Sequence, residues 1–350
     1  MRFSLLKSGF LSVLLSLGWG CSSVPVLHPW EKARKAPGSE VKRIRALGRI
    51  FTCQAWGARA KEAVESCLLE VKRVHGIAEE QLSTSEVARL NATGHLGWFR
   101  LSSDLKKMLE VARAMGVRSG GAFDVTFAPI ASEMERYGDQ AGLYGENREF
   151  MAKIGTAVKD QVGMRHLLFD EKGQAVKFSR LGVRVVLKGL ARGYAVEQAA
   201  QKMESLAPEG WIVEGGGVMS IAGRGFGESS RFCVEDPDHL GACLFRVQPN
   251  PGVYRLALAH ASSYDRPGKI YHPKTGERVA HYMSATLVGE SPPWLQAAST
   301  TVSILDEMAA PSFLEQETQP LIRGVYFADK ERESMRGKFT PFAQLVPLIK

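Results

Sequence analysis

The stretch Ser119-Gly120-Gly121-Ala122-Phe123-Asp124-Val125-Thr126 is the segment from which the rest of the chain is best understood. A second glycine-rich run, Lys188-Gly189-Leu190-Ala191-Arg192-Gly193-Tyr194, follows later in the sequence. Both runs set glycine beside a few polar groups, a composition used where a backbone approaches a ligand closely. The two runs are therefore candidate parts of a binding site, although tight packing alone would also explain either of them.

The segments around these runs predict how the chain enters and leaves them. Apolar residues recur at helical spacing over residues 101–116, and Gly116 is predicted to close that helix. Residues 183–187 are mostly apolar and predict a strand, which the second run joins to a helix over residues 194–206. This order points backbone N–H groups and a positive helix end at a phosphate. Asp124 is interpreted either as a cap for the segment after it or as a group that recognises a ring edge or a ribose.

The remaining pattern mixes helices with hairpins. Residues 45–56 predict a strand and residues 58–76 an amphipathic helix. Ser83 or Thr84 is predicted to cap a short helix that ends near Asn91. Further hairpins, strands and a helix are predicted over residues 167–178, 212–223, 232–237, 253–259, 284–288 and 294–308. Helices interleaved with several hairpins predict an α+β fold of mixed sheet and helix rather than a doubly wound parallel sheet.

Composition limits the class of protein. The chain has 350 residues, of which 45% are hydrophobic and 23% charged, so it can bury a large core and resembles neither a disordered nor a multi-span membrane protein. Lysine and arginine outnumber aspartate and glutamate by 45 to 37, which favours anionic partners. Because the basic residues form no dense run, nucleic acid is not expected among the partners.

The N-terminal segment differs from the rest of the chain. Arg2 and Lys7 accompany an apolar stretch over residues 10–19 that is too short to span a membrane, which is the form of a secretory signal over residues 1–20. Cys21 follows a glycine and precedes two serines, so it resembles the lipidated first residue of a bacterial lipoprotein. Cleavage without lipidation and a buried N-terminal helix are the alternatives.

The expected organisation after the signal is a tether and a single domain. Residues 21–40 contain prolines and mixed charge and predict the tether, and the domain follows over residues 41–350. We therefore expect an exported cell-envelope lipoprotein, held by its lipid anchor on the periplasmic side of a bacterial membrane. In an oxidising compartment the other cysteines can form disulfides, with buried free thiols as the alternative, and their spacings match no zinc site. These cysteines are Cys53, Cys67, Cys233 and Cys243.

Five short motifs occur together in an order that resembles one protein family. They are residues 121–126 with Pro129, residues 189–196, Gly216-Gly217 with Gly223, residues 273–276 and residues 297–300. Their order and rough spacing resemble the ApbE family of FAD:protein FMN transferases, which are commonly bacterial lipoproteins. The likeness spans most of the chain, and residues 83–91 fit an early segment of the family as well. It implies a two-lobed, T-fold-like α+β architecture.

The resemblance also implies a chemistry and a set of site residues. Family members hold FAD with its pyrophosphate on Mg²⁺, cleave it, and attach FMN through a phosphoester to a Thr or Ser of an acceptor flavoprotein, releasing AMP. By motif position, the FAD-binding residues would be Ala122, Phe123, Asp124, Lys188, Arg192 and Ile270. The metal would contact the Gly189 carbonyl, Gln296 and Thr300. Lys269 and His272 would be the catalytic residues.

This chain departs from the family pattern where the chemistry should occur. Carboxylates of the pattern are replaced by Val186, Val218, His272 and Gln296. Basic side chains are gained at Arg49, Lys188 and Lys269. These changes make the expected pocket more positive and remove the anionic oxygen that Mg²⁺ prefers, while basic side chains can also bind a pyrophosphate directly. Three functions are compatible with the sequence: a flavin transferase, a related protein that binds flavin or another anionic ligand without catalysis, and a purely structural lipoprotein of the cell envelope.

Overall fold

The computed structural model describes most of the chain from Gly38 onward. The described residues are 38–137, 148–207, 209–225, 232–235, 243–249, 253–262, 270–276, 279, 283–306, 308–316, 322–329, 336–339 and 343–347. Within them, helices pack on antiparallel sheets, so the predicted α+β class is confirmed. No helix in these ranges is both long and apolar enough to cross a membrane. The predicted signal, Cys21 and most of the tether lie outside them.

An antiparallel sheet forms the centre of the fold. The described strands are β1 (Ser39–Ala46), β2 (Arg49–Trp56), β3 (Phe99–Arg100), β4 (Leu167–Phe169), β5 (Ala175–Phe178), β6 (Gly210–Gly215), β7 (Val218–Gly223), β8 (Phe232–Glu235), β9 (Cys243–Pro249), β10 (Arg255–Ser262), β11 (Met283–Gly289), β12 (Ile322–Asp329), β13 (Arg336–Phe339) and β14 (Ala343–Pro347). The central sheet has the order β1-β2-β6-β7-β10-β11-β12-β13. Two smaller sheets have the orders β14-β9-β8 and β3-β5-β4.

Three helices cover one face of the central sheet. The described α-helices are α1 (Ala60–Ala78), α2 (Glu86–Thr93), α3 (Ser103–Arg118), α4 (Ala128–Tyr137), α5 (Arg148–Asp160), α6 (Ala191–Leu206), α7 (Pro292–Val302) and α8 (Ala309–Gln316). Helix α1 lies against β1 and β2, α6 against β6 and β7, and α7 against β10 and β11. Alternate strand residues point into this layer, so Cys53, Val213 and Ala257 are buried. The main core therefore lies between the sheet and these helices.

A disulfide bond links the sheet to its first helix. Cys53 on β2 and Cys67 on α1 are bonded and fully buried. Of the two alternatives that the sequence left open, disulfides or buried free thiols, the structure shows a disulfide for this pair. A bond that closes a loop of this length restricts the unfolded chain and stabilises the fold by about 3 kcal/mol.

A hydrogen-bond network joins three helices. Arg73 on α1 donates to both carboxylate oxygens of Asp104, at 2.7 and 3.1 Å, and its Nε donates to Glu70 at 2.8 Å. Tyr194, in the first turn of α6, donates its hydroxyl to Asp104 Oδ1 at 2.8 Å. Charge-assisted bonds of this kind are the strong ones. Since α3 leads into the first glycine run and α6 continues the second, the Asp104 network holds the two runs in a fixed relative position.

Most predicted elements are present, and the differences have local causes. The strand predicted over residues 45–56 is present as β2, but it begins at Arg49. Leu47 and Gly48 both have positive φ, 50° and 71°, and form a two-residue turn between β1 and β2. The cap of α2 is Ser85, whose Oγ accepts the Ala88 N–H at 3.0 Å, rather than Ser83 or Thr84. The two polar residues before Ser85 had equally suitable side chains.

The helix predicted over residues 294–308 ends earlier than predicted. Helix α7 ends at Val302, and the next helix, α8, begins at Ala309, three residues after Asp306. Asp306 Oδ1 accepts the N–H groups of Met308 and Ala309 at 3.0 and 2.7 Å. An aspartate that caps the first N–H groups of a helix favours a new start at this position over continuation of α7.

Candidate functional site

The first glycine run begins where α3 ends. The Gly120 N–H donates to the Val117 carbonyl at 3.2 Å, and the Gly121 N–H to the Gly116 carbonyl at 2.8 Å. These are the paired bonds of a Schellman motif, and Gly120 has the positive φ, 60°, that the motif requires. Gly116 therefore lies inside α3 and does not close it, which corrects the prediction.

Asp124 caps the turn that follows this run. Its Oδ1 accepts the Thr126 N–H at 2.8 Å and the Thr126 hydroxyl at 2.5 Å, and its Oδ2 accepts the Met164 N–H at 3.1 Å. Burial raises the pKa of Asp124, and these hydrogen bonds oppose the shift. Ala122 and Phe123, just before it, are buried. Both Asp124 oxygens have donors within the chain, so the capping interpretation fits this geometry, and a role of Asp124 in ligand binding stays a prediction.

The segment before the second run does not form the predicted strand. Asn91 takes the place of a neighbouring strand, because its Oδ1 accepts the Val185 N–H at 2.7 Å and its Nδ2 donates to the Val185 carbonyl at 2.8 Å. The Val186 N–H donates to the Val125 carbonyl at 2.7 Å. The apolar pattern of residues 183–187 correctly indicates burial of alternate side chains. Its hydrogen bonds, however, run to a side chain and a turn.

The second run continues into α6, whose first N–H groups have acceptors within the chain. Those of Leu190 and Ala191 donate to the Leu187 carbonyl at 2.9 and 2.8 Å. The Gly193 N–H donates to Gln296 Oε1 at 2.8 Å. The sequence interpretation, in which this turn points unbonded N–H groups at a phosphate, is therefore wrong for these three groups.

Gln296 connects the second run to α7. Besides accepting from Gly193, it donates from Nε2 to the Lys188 carbonyl at 2.9 Å, and its side chain is almost fully buried. Only one orientation of the amide satisfies both bonds, since an N–H needs an oxygen acceptor and a carbonyl needs a donor. Gln296 thus caps α6 from another helix, a role that Leu190 at the N-cap position does not fill.

Residues from both runs and from α7 meet at Gly189. A Cβ at Gly189 would lie 2.9 Å from Phe123 Cε2 and 3.6 Å from Thr300 Cγ2, so glycine is required for this close approach. The Thr300 hydroxyl lies 3.5 Å from the Gly189 carbonyl. The structure therefore brings together three residues that the sequence assigned to one site.

Two arginine side chains pack against the turn between β6 and β7. A Cβ at Gly216 would lie 2.7 Å from Arg49 Cγ and 3.1 Å from both Cδ and Nη1 of Arg192. The two arginine side chains thus pack against the same glycine, one from β2 and the other from the first turn of α6. Arg192 is one of the residues predicted to bind FAD. Arg49 is distant in sequence, and the fold places its side chain beside the same glycine.

Glu214, which precedes this turn, is a group that the sequence interpretation missed. Burial raises the pKa of Glu214 to about 7, while hydrogen bonds from the Gly217 and Gly216 N–H groups and the positive charge of Arg43 oppose the shift. A single glutamate in a strand gives no sequence signal. Only the pairing of β6 with its neighbours reveals its burial beside the glycine turn.

The turn over residues 273–275 lies against the first glycine run. A Cβ at Gly121 would lie 3.7 Å from Lys274 Cδ. His272 Nδ1 accepts the Lys274 N–H at 3.2 Å, so in the neutral ring the proton lies on Nε2. The Ile270 carbonyl accepts the Val279 N–H at 2.8 Å, which leads the chain back past the turn. Lys269 lies outside the described residues.

The Lys188 ammonium group forms an ion pair with Glu80. Its Nζ lies 2.5 Å from Glu80 Oε1, and the Lys188 side chain is half exposed while that of Glu80 is largely buried. This pair compensates part of the positive charge gained in the second run. The remaining basic side chains at the site belong to Arg49, Arg192 and Lys274 among the residues described.

A family model matches most of the chain. The ApbE family model matches residues 47–322, which include both glycine runs, the β6-β7 turn and α7. The chain belongs to the ApbE family. The recognition made from five short motifs is thereby confirmed.

Individual members of the ApbE family are distant relatives of this chain. It is 25% identical to the FAD:protein FMN transferase of Haemophilus influenzae over 234 residues, which cover 65% of this chain and 63% of that protein. The corresponding protein of Salmonella typhimurium is 23% identical over 337 residues, 92% of each chain. An ApbE crystal structure from Thermotoga maritima has a TM-score of 0.69 at 22% identity, covering 86% of this chain and 97% of that one. The flavin transferase ApbE of Vibrio cholerae has a TM-score of 0.62 at 17% identity, covering 88% and 96%.

The groups that the ApbE pattern assigns to Mg²⁺ do not fit a cation in this chain. The Lys188 carbonyl and the Gly193 N–H already occupy the two ends of the Gln296 amide. The neutral amide presents an N–H donor where an anionic oxygen would be needed. Thr300 and the Gly189 carbonyl remain as two uncharged oxygens. Among the described residues, no three or more His, Cys, Asp or Glu side chains cluster as a metal site.

Proposed function

We propose that this ApbE family member is an FAD:protein FMN transferase. It cleaves FAD, attaches FMN through a phosphoester to a Thr or Ser of an acceptor flavoprotein, and releases AMP. The observation that carries the proposal is the meeting of Phe123, Gly189 and Thr300 at one place, within the stretch that matches the family. The names of the curated relatives support the same reaction.

The chemistry needs charge neutralisation and a base. When Mg²⁺ is bound in an enzyme of this reaction class, it neutralises the diphosphate. In this chain, Arg192 and Arg49 supply positive charge beside the glycine turn at Gly216. We assign proton removal from the acceptor hydroxyl to Lys269, and His272 is suited to donate a hydrogen bond through Nε2, since its Nδ1 accepts from the backbone.

A second candidate function is flavin binding without turnover. The specific observation that favours it is the Gln296 amide, whose donor and acceptor both bond to the backbone and leave no oxygen for a metal. A protein of this kind retains the site at the two glycine runs and binds FAD or another anionic ligand, but does not cleave it. The two functions differ in a product, AMP, that is directly measurable.

Substitution of Lys269 by alanine distinguishes these functions. We expect wild-type protein to bind FAD, measured by quenching of flavin fluorescence, and to release AMP when envelope proteins of the source cells are added. Covalent FMN is then detected as a fluorescent band on a denaturing gel. Lys269→Ala is expected to retain FAD binding and lose AMP release, because it removes only the base. FAD binding without AMP release by the wild type would favour the second function. No FAD binding would refute the transferase function and leave, for the second function, only an anionic ligand other than FAD.

We also propose that the protein is an exported lipoprotein anchored through Cys21. The buried disulfide between Cys53 and Cys67 supports export, because such bonds persist in oxidising compartments. Cys21→Ser is expected to move the protein from the membrane fraction to the soluble periplasmic fraction, as followed by immunoblotting. Ser22→Ala, next to it, is the matched control and should leave the protein in the membrane fraction. Membrane attachment of Cys21→Ser would contradict lipidation.

A further inference from the structure

We infer that this chain binds the diphosphate of its dinucleotide without a divalent cation, with the Arg49 and Arg192 side chains supplying the positive charge. The inference rests on the proposed function, since it concerns how the same pocket holds FAD. It goes further by assigning a ligand contact to Arg49 and a metal-excluding role to Gln296. Two features of the structure carry it.

The first feature is the double hydrogen bond of Gln296. The Lys188 carbonyl is a backbone oxygen beside the predicted metal position, and Gln296 Nε2 donates to it at 2.9 Å. A cation near this carbonyl would lie against the N–H₂ group, which carries partial positive charge. The amide cannot turn over, because its oxygen must accept the Gly193 N–H at 2.8 Å. A side chain that is 2% exposed has no room to leave this arrangement.

The second feature is the arginine pair at Gly216. Arg49 comes from the start of β2 and Arg192 from the first turn of α6, and both side chains pack within about van der Waals distance of the same glycine. Arg49 is an exposed residue, so its guanidinium group can reach a ligand from the solvent side. Guanidinium groups bind phosphate oxygens in pairs of parallel hydrogen bonds. Two of them can therefore neutralise a diphosphate that carries about two negative charges.

The test is FAD binding by the purified full-length protein, with excess Mg²⁺ and with excess EDTA. We expect the Kd for FAD to agree within about twofold in the two buffers, and inorganic pyrophosphate to compete in both. Arg49→Gln should weaken FAD binding by about tenfold in either buffer, as expected for loss of a charge-assisted hydrogen bond. Arg45→Gln removes the same charge from the same hairpin and is expected to leave the Kd unchanged.

Two outcomes separate the inference from the proposed function. If EDTA weakens FAD binding by about tenfold or more, the metal-free site is refuted while the transferase proposal stands. If FAD does not bind in either buffer, the proposed function is refuted and this inference with it.

A second variant tests the role of Gln296 directly. Gln296→Glu has the same shape but sets a carboxylate oxygen against the Lys188 carbonyl, so a cation between them becomes favourable. We expect its Tm and its FAD affinity to rise when Mg²⁺ is added, whereas those of the wild type do not change. A Gln296→Glu protein that is as insensitive to Mg²⁺ as the wild type would contradict the metal-excluding role of the amide.

Discussion

Asn91→Ala is expected to lower the free energy of unfolding by about 4 kcal/mol, since two buried backbone groups lose their partners at about 2 kcal/mol each. The Val185 N–H and carbonyl both bond to the Asn91 amide, at 2.7 and 2.8 Å, and Val185 is fully buried. Water cannot replace the amide without access to this segment. Denaturation by guanidinium chloride measures the loss, and hydrogen exchange of the Val185 amide should become faster in the variant.

Two further variants define the cause. Asn91→Asp keeps an acceptor for the Val185 N–H but loses the donor, so we expect an intermediate loss of stability. Thr93→Ala is the matched control on the same helix, because the exposed Thr93 hydroxyl bonds only to the Arg89 carbonyl of its own turn and should change stability by less than about 0.5 kcal/mol. If Asn91→Ala were no less stable than Thr93→Ala, the side chain would not be holding the segment.

Glu214→Gln is expected to stabilise the protein at neutral and alkaline pH by about 3 kcal/mol. Burial raises the pKa of Glu214 from 4.5 to about 7 in the folded protein, so folding favours its protonated form. The folded state then binds more protons than the unfolded state between these pH values, and the contribution of Glu214 to stability falls as the pH rises from about 4.5 to about 7. The glutamine variant does not titrate there. Chemical denaturation of both proteins at several pH values measures the difference.

The comparison needs a control for charge alone. Glu110→Gln removes one negative charge from an exposed site whose side chain is 57% exposed, and its effect should be small and nearly independent of pH between about 5 and 8. Glu214→Gln should therefore diverge from the wild type as pH increases, whereas Glu110→Gln should run parallel to it. A constant difference between Glu214→Gln and the wild type across this range would show that the carboxyl does not titrate near neutrality.

Local sequence features predicted the elements well where a residue's own conformation determines them. Gly120 and Gly216 have positive φ and form the turns that glycine clusters indicate. The apolar spacing of α1 and α3 matches their buried faces. The turn at Leu47 and Gly48 was missed because leucine is unfavourable at positive φ, so the pair gave a weaker signal than Asn-Gly would have given.

The candidate site was predictable only in part, because its key contacts join distant residues. Asn91 bonds to a residue 94 positions later and Gln296 to one 108 positions earlier. The family motifs correctly brought Phe123, Gly189 and Thr300 together, but they described Gln296 only as a departure from a metal ligand. Its actual bonds, like the burial of Glu214, depend on the packing of α6, α7 and β6 and have no signature in the local sequence.

The Asp104 network positions the helices of the site without using the side chains that are proposed to bind the ligand. Arg73, Asp104 and Tyr194 align three helices, and of these three residues only Tyr194 belongs to a glycine run. Side chains such as those at positions 49 and 272 can therefore change while the helices stay in place. The site therefore tolerates substitution of its ligand-binding side chains, and the anion that it binds could be changed by design without altering the helices that hold the site.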